Sequence, residues 1–270
     1  MILNTLFHLT FDQTGLAVLW LQGNGIKVIE NLNCQKNLRT LYLQENGISK
    51  IENLNDCFKL DTIDLSKNRI YTIENLSHLH NLTTLILSNN ELSSAKSIAH
   101  VKALPNLNLL DLANNKLDEG ESNEIVEIFA SCPQLKVLHF TENKIIDKIE
   151  YYRRKITCSC KKLVYLDDYP ITKDDRRCFE VWWNEFAKNG SIEDASNAER
   201  KERKVMKDER DADDEENYFF LADLMNDHEL LSEEKEAKDE EDYLFLTELE
   251  NHHEVSIEQK EENGDEIHSW

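Results

Sequence analysis

Residues that break secondary structure are scarce in this chain. Its 270 residues include seven glycines and three prolines, which is far below ordinary usage and argues against collagen-like, linker-like and many-turned β-sandwich architectures. Long apolar runs are missing as well, because none approaches the roughly 18 residues that a membrane-spanning helix needs. The mean hydropathy of −0.59 agrees. We therefore expect a protein with no membrane span and no membrane partner.

Signals for secretion, disulfide bonding and metal binding are also missing. Residues 1–11 are apolar, but no lysine or arginine precedes Lys27 and no small-residue cleavage site follows, so a signal peptide is not expected. Among the six cysteines, Cys158 and Cys160 form a close pair, but no second Cys or His pair stands at ligand spacing. We expect reduced thiols, no metal and no cofactor in a cytoplasmic protein.

Positive charge is nearly absent from the last sixty residues. Residues 211–270 contain 23 acidic side chains and three lysines, so they carry −20 of the total formal charge of −22. Such a segment repels nucleic acid phosphates and anionic membranes, which leaves basic protein surfaces as its candidate partners. The composition of this tail predicts disorder.

A repeated pattern of leucines organises the first 150 residues. The unit LxxLxLxxN recurs six times, and its asparagines are 22, 22, 22, 25 and 28 residues apart. The last two apolar positions of a unit alternate along a short strand, so both point into a core while the residue between them faces solvent. One unit cannot bury its apolar face alone, so six stacked units form one continuous core. The asparagines are Asn24, Asn46, Asn68, Asn90, Asn115 and Asn143.

This pattern is the leucine-rich repeat, which predicts an α/β solenoid with a parallel sheet on its concave side. The Ile-Glu-Asn-Leu segment that closes the first three units is too short for a full helix and predicts a tight turn with a 3₁₀ segment on the convex side. The repeated asparagine fits because its amide can bond the backbone of the turn, and stacked copies can satisfy one another. The insert from Asp118 to Cys132 predicts a true α-helix, because four of its apolar residues have helical spacing. These four are Ile125, Val126, Ile128 and Phe129.

The stack needs a cover for its last repeat, and residues 151–190 are expected to provide it. Thr172, with Asp175 three residues later, resembles a capping box and predicts the start of a helix that ends before Gly190. One face of that helix carries Phe179, Trp182 and Phe186.

The expected organisation has five segments. Leu3, Leu6 and Leu9 supply part of a strand before the first full repeat, and the mixed charges from Ala198 to Arg210 read as a solvated helix that bridges to the tail. The segments are a partial N-terminal repeat at 1–15, six leucine-rich repeats at 16–150, a C-terminal repeat cap at 151–190, a charged helix or linker at 191–210 and the acidic, largely disordered tail at 211–270.

Two parts of the sequence resemble known proteins. Repeats that end in Ile-Glu-Asn-Leu resemble a 22-residue subclass found in phosphatase-regulating leucine-rich proteins and in several ciliary proteins. The cap is similar to that of the leucine-rich-repeat dynein axonemal assembly factors. It reads YRRK from Tyr152 and LVYLDDYP from Leu163, and continues with Lys173-Asp174, Arg177-Cys178, Glu180 and Trp182.

This resemblance implies a non-enzymatic factor for the pre-assembly of dynein arms in the cytoplasm of cells that build motile cilia, with the cilium or flagellum as a second location. The implied partners are dynein arm subunits or assembly co-factors and chaperones. A phosphatase-regulatory or an acidic nuclear leucine-rich-repeat protein is the alternative, since repeats plus an acidic tail describe those proteins too. The interspersed Tyr, Phe and Leu of the tail disfavour the nuclear kind.

An enzyme is the alternative from a different class. Asp167 and Asp168 could be drawn as paired catalytic carboxylates, but their place before Pro170 at a chain stop favours a role in a turn. No GxSxG, HExxH or P-loop spacing occurs in the sequence. We therefore expect no catalytic site.

Solvent-facing strand positions predict a protein-binding site, because they line up across the repeats. Trp20, Tyr42 and Ile86, together with Val18 and Leu109, are expected to form an exposed apolar stripe, and such stripes usually mark interfaces. The alternative is that exposed aromatic rings merely cover neighbouring strands. The concave-face set comprises Val18, Trp20, Tyr42, Asp64, Ile86, Leu109, Asp111 and His139.

The acidic tail contains an internal duplication. Residues 214–229 match residues 239–254 at ten of sixteen positions, which suggests two copies of a short binding motif that folds as a helix in a basic groove. A coincidental similarity within a low-complexity segment is the alternative. The motif residues are Tyr218, Phe220, Leu221 and Leu224 in the first copy and Tyr243, Phe245, Leu246 and Leu249 in the second.

Overall fold

The structure is a computed structural model that describes residues 15–118 and 122–209. Apart from Asp208 and Glu209, all of these residues belong to one compact unit, Met1–Lys207. The described part of this unit contains one sheet whose eight strands follow one another in chain order. The strands are β1 (Val18–Trp20), β2 (Thr40–Tyr42), β3 (Thr62–Asp64), β4 (Thr84–Ile86), β5 (Leu109–Asp111), β6 (Val137–His139), β7 (Tyr165–Leu166) and β8 (Tyr169–Pro170).

Strands β1 to β7 are parallel, and each lies one repeat further along the chain than its neighbour. The middle residue of each three-residue strand is buried, and the two flanking residues are more exposed in all but one case. The pattern follows from the period of two along a strand, since the middle leucine or isoleucine points into the core. The predicted α/β leucine-rich-repeat solenoid is confirmed.

The repeated asparagines join consecutive repeats. Asn68 is typical: its Nδ2 donates to the Leu43 carbonyl of the preceding repeat over 2.8 Å, while its Oδ1 accepts from the Ile48 amide of that repeat over 3.0 Å. Asn46, Asn90, Asn115 and Asn143 make the corresponding pair of bonds. Each of these asparagines thus bonds the backbone of the repeat before it. Asn68 also bonds the backbone of its own turn, as the sequence predicted, and Oδ1 of Asn46 accepts from the backbone amide of Asn24, its stacked copy. Buried backbone groups at the strand ends are paired in this way.

A second set of asparagines turns the chain on the side away from the sheet. Asn31, Asn53 and Asn75, in the three Ile-Glu-Asn-Leu segments, have φ near +60°, a region that asparagine tolerates better than most residues. The Nδ2 atoms of Asn53 and Asn75 donate to carbonyls one repeat earlier. Within the described residues, 3₁₀ helices occur only in longer connections, at Ala99–Ala103 and Lys144–Lys148, so these three segments are tight turns without the expected 3₁₀ helix.

Five α-helices occur in the described residues. The helix at Ser122–Ala130, α2, confirms the helix expected in the insert, and its four apolar residues are all buried. Phe129 on this helix meets Phe140 edge to face, with ring centroids 5.0 Å apart. The helices are α1 (Ala95–Ile98), α2 (Ser122–Ala130), α3 (Tyr152–Ser159), α4 (Lys173–Asn189) and α5 (Ile192–Glu209).

Helix α4 has the predicted ends. The Thr172 side chain accepts from the Asp175 amide, the Asp175 carboxylate accepts from the Thr172 amide, and Gly190 ends the helix at φ +69°, which glycine adopts without strain. Trp182 is 1% exposed and stacks on Phe186, with ring centroids 5.0 Å apart. The helix therefore turns a large aromatic face inward.

Helix α5 differs from the expectation of a solvated helix that begins near Ala198. It begins at Ile192, and one face of it is buried at Ala195, Glu199 and Met206. Met206 belongs to a small apolar cluster with Cys178 and Phe179 of α4. The local sequence predicts a fully solvated helix because the residues on its buried face are small, flexible or charged. Glu199 can be buried because its charge is paired with arginines.

Candidate protein-binding face

The outer surface of the sheet carries two rows of aligned side chains. The strand register places Trp20, Tyr42, Asp64, Ile86, Asp111 and His139 side by side in one row. A second row, two residues earlier in each strand, contains Val18, Thr40, Thr62, Thr84, Leu109, Val137 and Tyr165. The structure thus brings all eight residues of the concave-face set together on one surface, which we call the sheet face.

The sheet face is less exposed than the sequence suggested. Seven members of the concave-face set are half-buried, and Asp64 is 9% exposed. Strands about 4.8 Å apart bring neighbouring side chains into contact, so each covers the flanks of the next. The apolar residues therefore present edges and tips to solvent rather than a fully exposed stripe, and the role of this set in binding stays a prediction.

Trp20 and Tyr42 form an aromatic pair at the N-terminal end of the sheet face. Their rings stack with centroids 3.9 Å apart and an interplanar angle of 15°. Burial is the largest cause of the raised pKa of the Tyr42 hydroxyl, and the charges of Asp64 and Asp61 raise this pKa further. The hydroxyl is therefore neutral at physiological pH, and it lies near two carboxylates.

The two aspartates of the sheet face also have a structural role. The Ser66 amide donates to Oδ1 of Asp64 and the Ala113 amide donates to Oδ1 of Asp111, each over 2.9 Å. These bonds satisfy backbone groups just after the strand, as in an Asx turn. Sequence reasoning assigned both residues to partner binding and missed this role, although the spacing of an aspartate two residues before the amide is a recognisable signal.

The C-terminal end of the sheet face carries a second pair of rings. His139 lies 5.9 Å from Tyr165, centroid to centroid. Tyr165 was absent from the predicted set because β7 follows the last complete repeat. Tyr165 is the register partner of Val137 and therefore extends the second row. The sequence signal for it is the apolar pair Leu163 and Leu166.

The cap residues that carry the family resemblance have structural roles in this chain. Nη2 of Arg153 donates to the Pro170 carbonyl over 2.7 Å, and Nη1 donates to the Leu166 carbonyl over 3.3 Å. These bonds hold α3 against the β7–β8 hairpin. Asp167 lies in the turn of that hairpin at φ +55°, and its Oδ1 accepts from the Phe140 amide over 2.8 Å. The carboxylate considered as a catalytic candidate is thus a turn residue.

Arg154 and Glu199 join the first helix of the cap to α5. Nη2 of Arg154 lies 2.9 Å from Oε2 of Glu199, and its guanidinium lies 4.9 Å from the centre of the Trp182 ring. Glu199 also pairs with Arg203 over 3.0 Å. The buried carboxylate is therefore neutralised from two sides, and the arginine gains a cation–π contact.

The described cysteines are free. Burial raises the pKa of Cys57 and of Cys132 to about 11, and that of Cys160 to about 12. These thiols are protonated at physiological pH, which disfavours nucleophilic chemistry. Among residues 15–118 and 122–209, no cluster of three or more His, Cys, Asp or Glu could hold a metal ion. In the same ranges no helix is both long and apolar enough to cross a membrane.

The duplicated tail motif lies outside the described residues. This applies to all eight of its positions, and the motif stays a prediction. The residues concerned are Tyr218, Phe220, Leu221, Leu224, Tyr243, Phe245, Leu246 and Leu249.

A stack of short parallel strands, joined by asparagines and carrying a continuous outer face, defines a leucine-rich-repeat solenoid. Comparison with known proteins agrees: a family model described as Leucine-rich repeat matches residues 36–186, which is more than half of the chain. A second model, described as Leucine Rich repeats (2 copies), matches residues 14–57. The chain belongs to the leucine-rich repeat family.

Dynein axonemal assembly factors are among the similar proteins, which confirms the resemblance inferred from the sequence. Dynein axonemal assembly factor 1 of Homo sapiens is 40% identical over 109 residues, covering 39% of this chain and 14% of the human protein. The dynein axonemal assembly factor 1 homolog of Drosophila pseudoobscura pseudoobscura is 40% identical over 79 residues, covering 29% of this chain and 5% of that protein. The chain thus matches a small part of the length of these relatives.

Solved structures that align with part of this chain include two of low sequence identity. An internalin, InlF, from Listeria monocytogenes has a TM-score of 0.46 and 24% identity, covering 57% of this chain and 41% of that chain. A chain in the Drosophila melanogaster SNF/U2A′ complex has a TM-score of 0.41 and 23% identity, covering 63% of this chain and 80% of that chain.

Proposed function

We propose that this chain is a non-enzymatic protein-interaction scaffold for the cytoplasmic pre-assembly of axonemal dynein arms, and hence for the building of motile cilia. The observation that carries the proposal is the 40% identity over 109 residues with a human dynein axonemal assembly factor. The proposed partners are dynein arm subunits or assembly co-factors and chaperones, with no nucleic acid and no membrane. The proposed locations are the cytoplasm and, second, the cilium.

Chemistry within the described residues supports a binding role over a catalytic one. The buried thiols are protonated, and Asp167 is committed to a turn. The sheet face, in contrast, aligns half-buried apolar side chains with ring edges and carboxylates. Mixed surfaces of this kind suit protein interfaces, where a few residues, often Trp, Tyr or Arg, contribute most of the binding energy.

Removal of the protein from cells that build motile cilia tests the proposed function. Cilia should be present but poorly motile, and electron microscopy of their cross-sections should show dynein arms missing. Expression of the full chain should restore the arms. Normal arms in cells that demonstrably lack the protein would contradict the proposal.

A pair of matched variants tests the sheet face as the binding site separately from the proposed function. Tyr42→Ala changes the sheet face, whereas Phe58→Ala changes a side chain that lies outside the strands and is 51% exposed. Both variants remove an aromatic ring, so they control for surface hydrophobicity. Rescue by Phe58→Ala but not by Tyr42→Ala would support the sheet face as the site. Equal rescue by both would leave the proposed function standing and refute the assignment of Tyr42 to the interface.

A further inference from the structure

The N-terminal half of the sheet face combines two aromatic rings with two carboxylates. The Trp20–Tyr42 stack occupies β1 and β2, and Asp64 on β3 is the register partner of Tyr42. Asp61, directly before β3, is half-buried, and its charge acts on the Tyr42 hydroxyl together with that of Asp64. We call Trp20, Tyr42, Asp61 and Asp64 the aromatic-acidic corner.

Among the described residues, no ion pair joins a lysine or arginine to Asp61 or Asp64. Lys67 lies close enough to Asp64 to interact with it, but its ammonium is ion-paired with Glu45. Arg39 stands one repeat before Asp61 and is exposed, and within the described ranges no ion pair joins it to either aspartate of the corner. The Ser66 amide bonds Oδ1 of Asp64, and Asp64 is 9% exposed whereas Asp61 is half-buried. A donor from outside would therefore meet the Asp61 carboxylate first and the remaining oxygen of Asp64 second.

We propose that the aromatic-acidic corner receives a lysine or arginine side chain of a partner protein, flanked in that partner by apolar residues. This inference rests on the proposed function of the sheet face as a protein-binding site, and it specifies the chemistry of the partner. A cation within about 6 Å of an aromatic ring centre is attracted by the ring, and a carboxylate adds a charge-assisted hydrogen bond. Half-buried Ile86, beside Asp64, and Val18, beside Thr40, would receive the apolar neighbours.

Charge complementarity selects this occupant over two others. The chain's own residues 211–270 carry a formal charge of −20, which does not complement two carboxylates. Nucleic acid fails to complement them for the same reason. A basic segment with apolar neighbours matches both the carboxylates and the apolar side chains, so a partner of this kind satisfies the whole corner.

Selection of a random twelve-residue peptide library, displayed on phage, against the purified full chain tests the proposal. Selected peptides should be enriched in lysine or arginine flanked by apolar residues, and calorimetry should give their affinities. In the double variant Asp61→Asn with Asp64→Asn, affinity should fall about tenfold, which corresponds to one charge-assisted contact. The side-chain amide introduced at position 64 would still offer an oxygen to the Ser66 amide, so the turn should survive. Tyr42→Leu removes the ring and should weaken binding by about fivefold.

Asp111→Asn is the matched control. Asp111 lies in the same row and makes the same 2.9 Å bond to an amide two residues later, but its register partners are Ile86 and His139 rather than the aromatic pair. This variant should leave the affinity within about twofold.

Each result decides the proposal. Basic peptides whose affinity falls with the Asp61 and Asp64 changes but not with Asp111→Asn would support it. Peptides that lose affinity with Tyr42→Leu yet are not basic would refute the cation while leaving the sheet face as a binding site. Peptides whose affinity changes with none of the four substituted positions, or a library that shows no enrichment, would refute the proposal. None of these results depends on the dynein-arm role, which the electron microscopy described above tests separately.

Discussion

The repeat stack and the cap are stabilised by contacts of different kinds. In the stack, an asparagine in one repeat after another makes the same pair of hydrogen bonds to the repeat before it, as Asn68 and Asn90 illustrate. In the cap, each important contact occurs once: Arg153 on the hairpin, Arg176 at the end of α3 and Glu199 between two arginines. A stack of repeats gains stability from many equivalent neighbour terms, whereas the cap depends on individual side chains.

Loss of an internal asparagine should have the largest effect. Asn90→Ala removes the acceptor of the buried Ile70 amide and the donor to the Leu65 carbonyl. Denaturant unfolding should show a loss of about 2–3 kcal/mol, since a buried unpaired group costs about 1–3 kcal/mol.

Asn24→Ala is the control within the same series. Asn24 is half-buried, and among the described residues its side chain donates to the carbonyl of Gln22 in its own repeat. Its loss should cost about 0.5–1 kcal/mol. Equal losses for the two variants would contradict the view that inter-repeat bonds stabilise the stack.

Most of the stack could be predicted from the sequence because its periodicity dictates the register. Strand positions, the asparagines and helix α2 all follow from local spacing. The ends of α4 were equally predictable, since Thr172, Asp175 and Gly190 act within one helical turn of the termini. The burial of Glu199 was not predictable, because its partner Arg154 lies 45 residues away in sequence.

The cap offers the next largest effect. Nη1 of Arg176 donates to the Thr157 carbonyl over 2.6 Å, and Nη2 donates to the Leu163 carbonyl over 2.5 Å. Arg176→Met keeps the apolar stem but leaves these carbonyls without a donor, so we expect a loss of about 1.5–3 kcal/mol in denaturant unfolding. Arg200→Met, at an exposed position of α5, should change stability by less than about 0.5 kcal/mol. Similar effects of the two changes would show that the cap does not depend on individual side chains.

The smallest effect expected is a change in the free energy of unfolding at alkaline pH. It involves one thiol in the stack and one in the cap. Cys132 in the stack and Cys160 in the cap have pKa values raised by burial, to about 11 and about 12. Above pH 9, the unfolded chain loses these protons while the folded chain keeps them, so the free energy of unfolding falls as pH rises. Between pH 8 and pH 10 we expect a fall of about 1–2 kcal/mol per thiol.

Denaturant unfolding at pH 8, 9 and 10 measures this slope. The same series on Cys132→Ala should show a shallower slope, because one of the buried thiols is removed. A slope that does not change with this substitution would contradict the assignment of the pH dependence to Cys132.

The candidate site was predictable in position but not in exposure. Alternation along each strand places Trp20, Tyr42 and Ile86 on the sheet face, as expected. The stacking of Trp20 on Tyr42 and the bond from the Ser66 amide to Asp64 depend on three-dimensional neighbours. These contacts reduce exposure, and they show that Asp64 has a structural role besides any role in binding.

Site-specific photo-crosslinking tests the central proposal, that the sheet face binds dynein arm subunits or their assembly co-factors. A photoreactive phenylalanine analogue is placed either at Tyr42 or at Phe58 of the full chain, expressed in cells that are building motile cilia. After irradiation, mass spectrometry identifies the crosslinked proteins. The account predicts dynein arm subunits or their assembly co-factors crosslinked from position 42 and not from position 58. The same proteins crosslinked from both positions, or none of them from position 42, would contradict it.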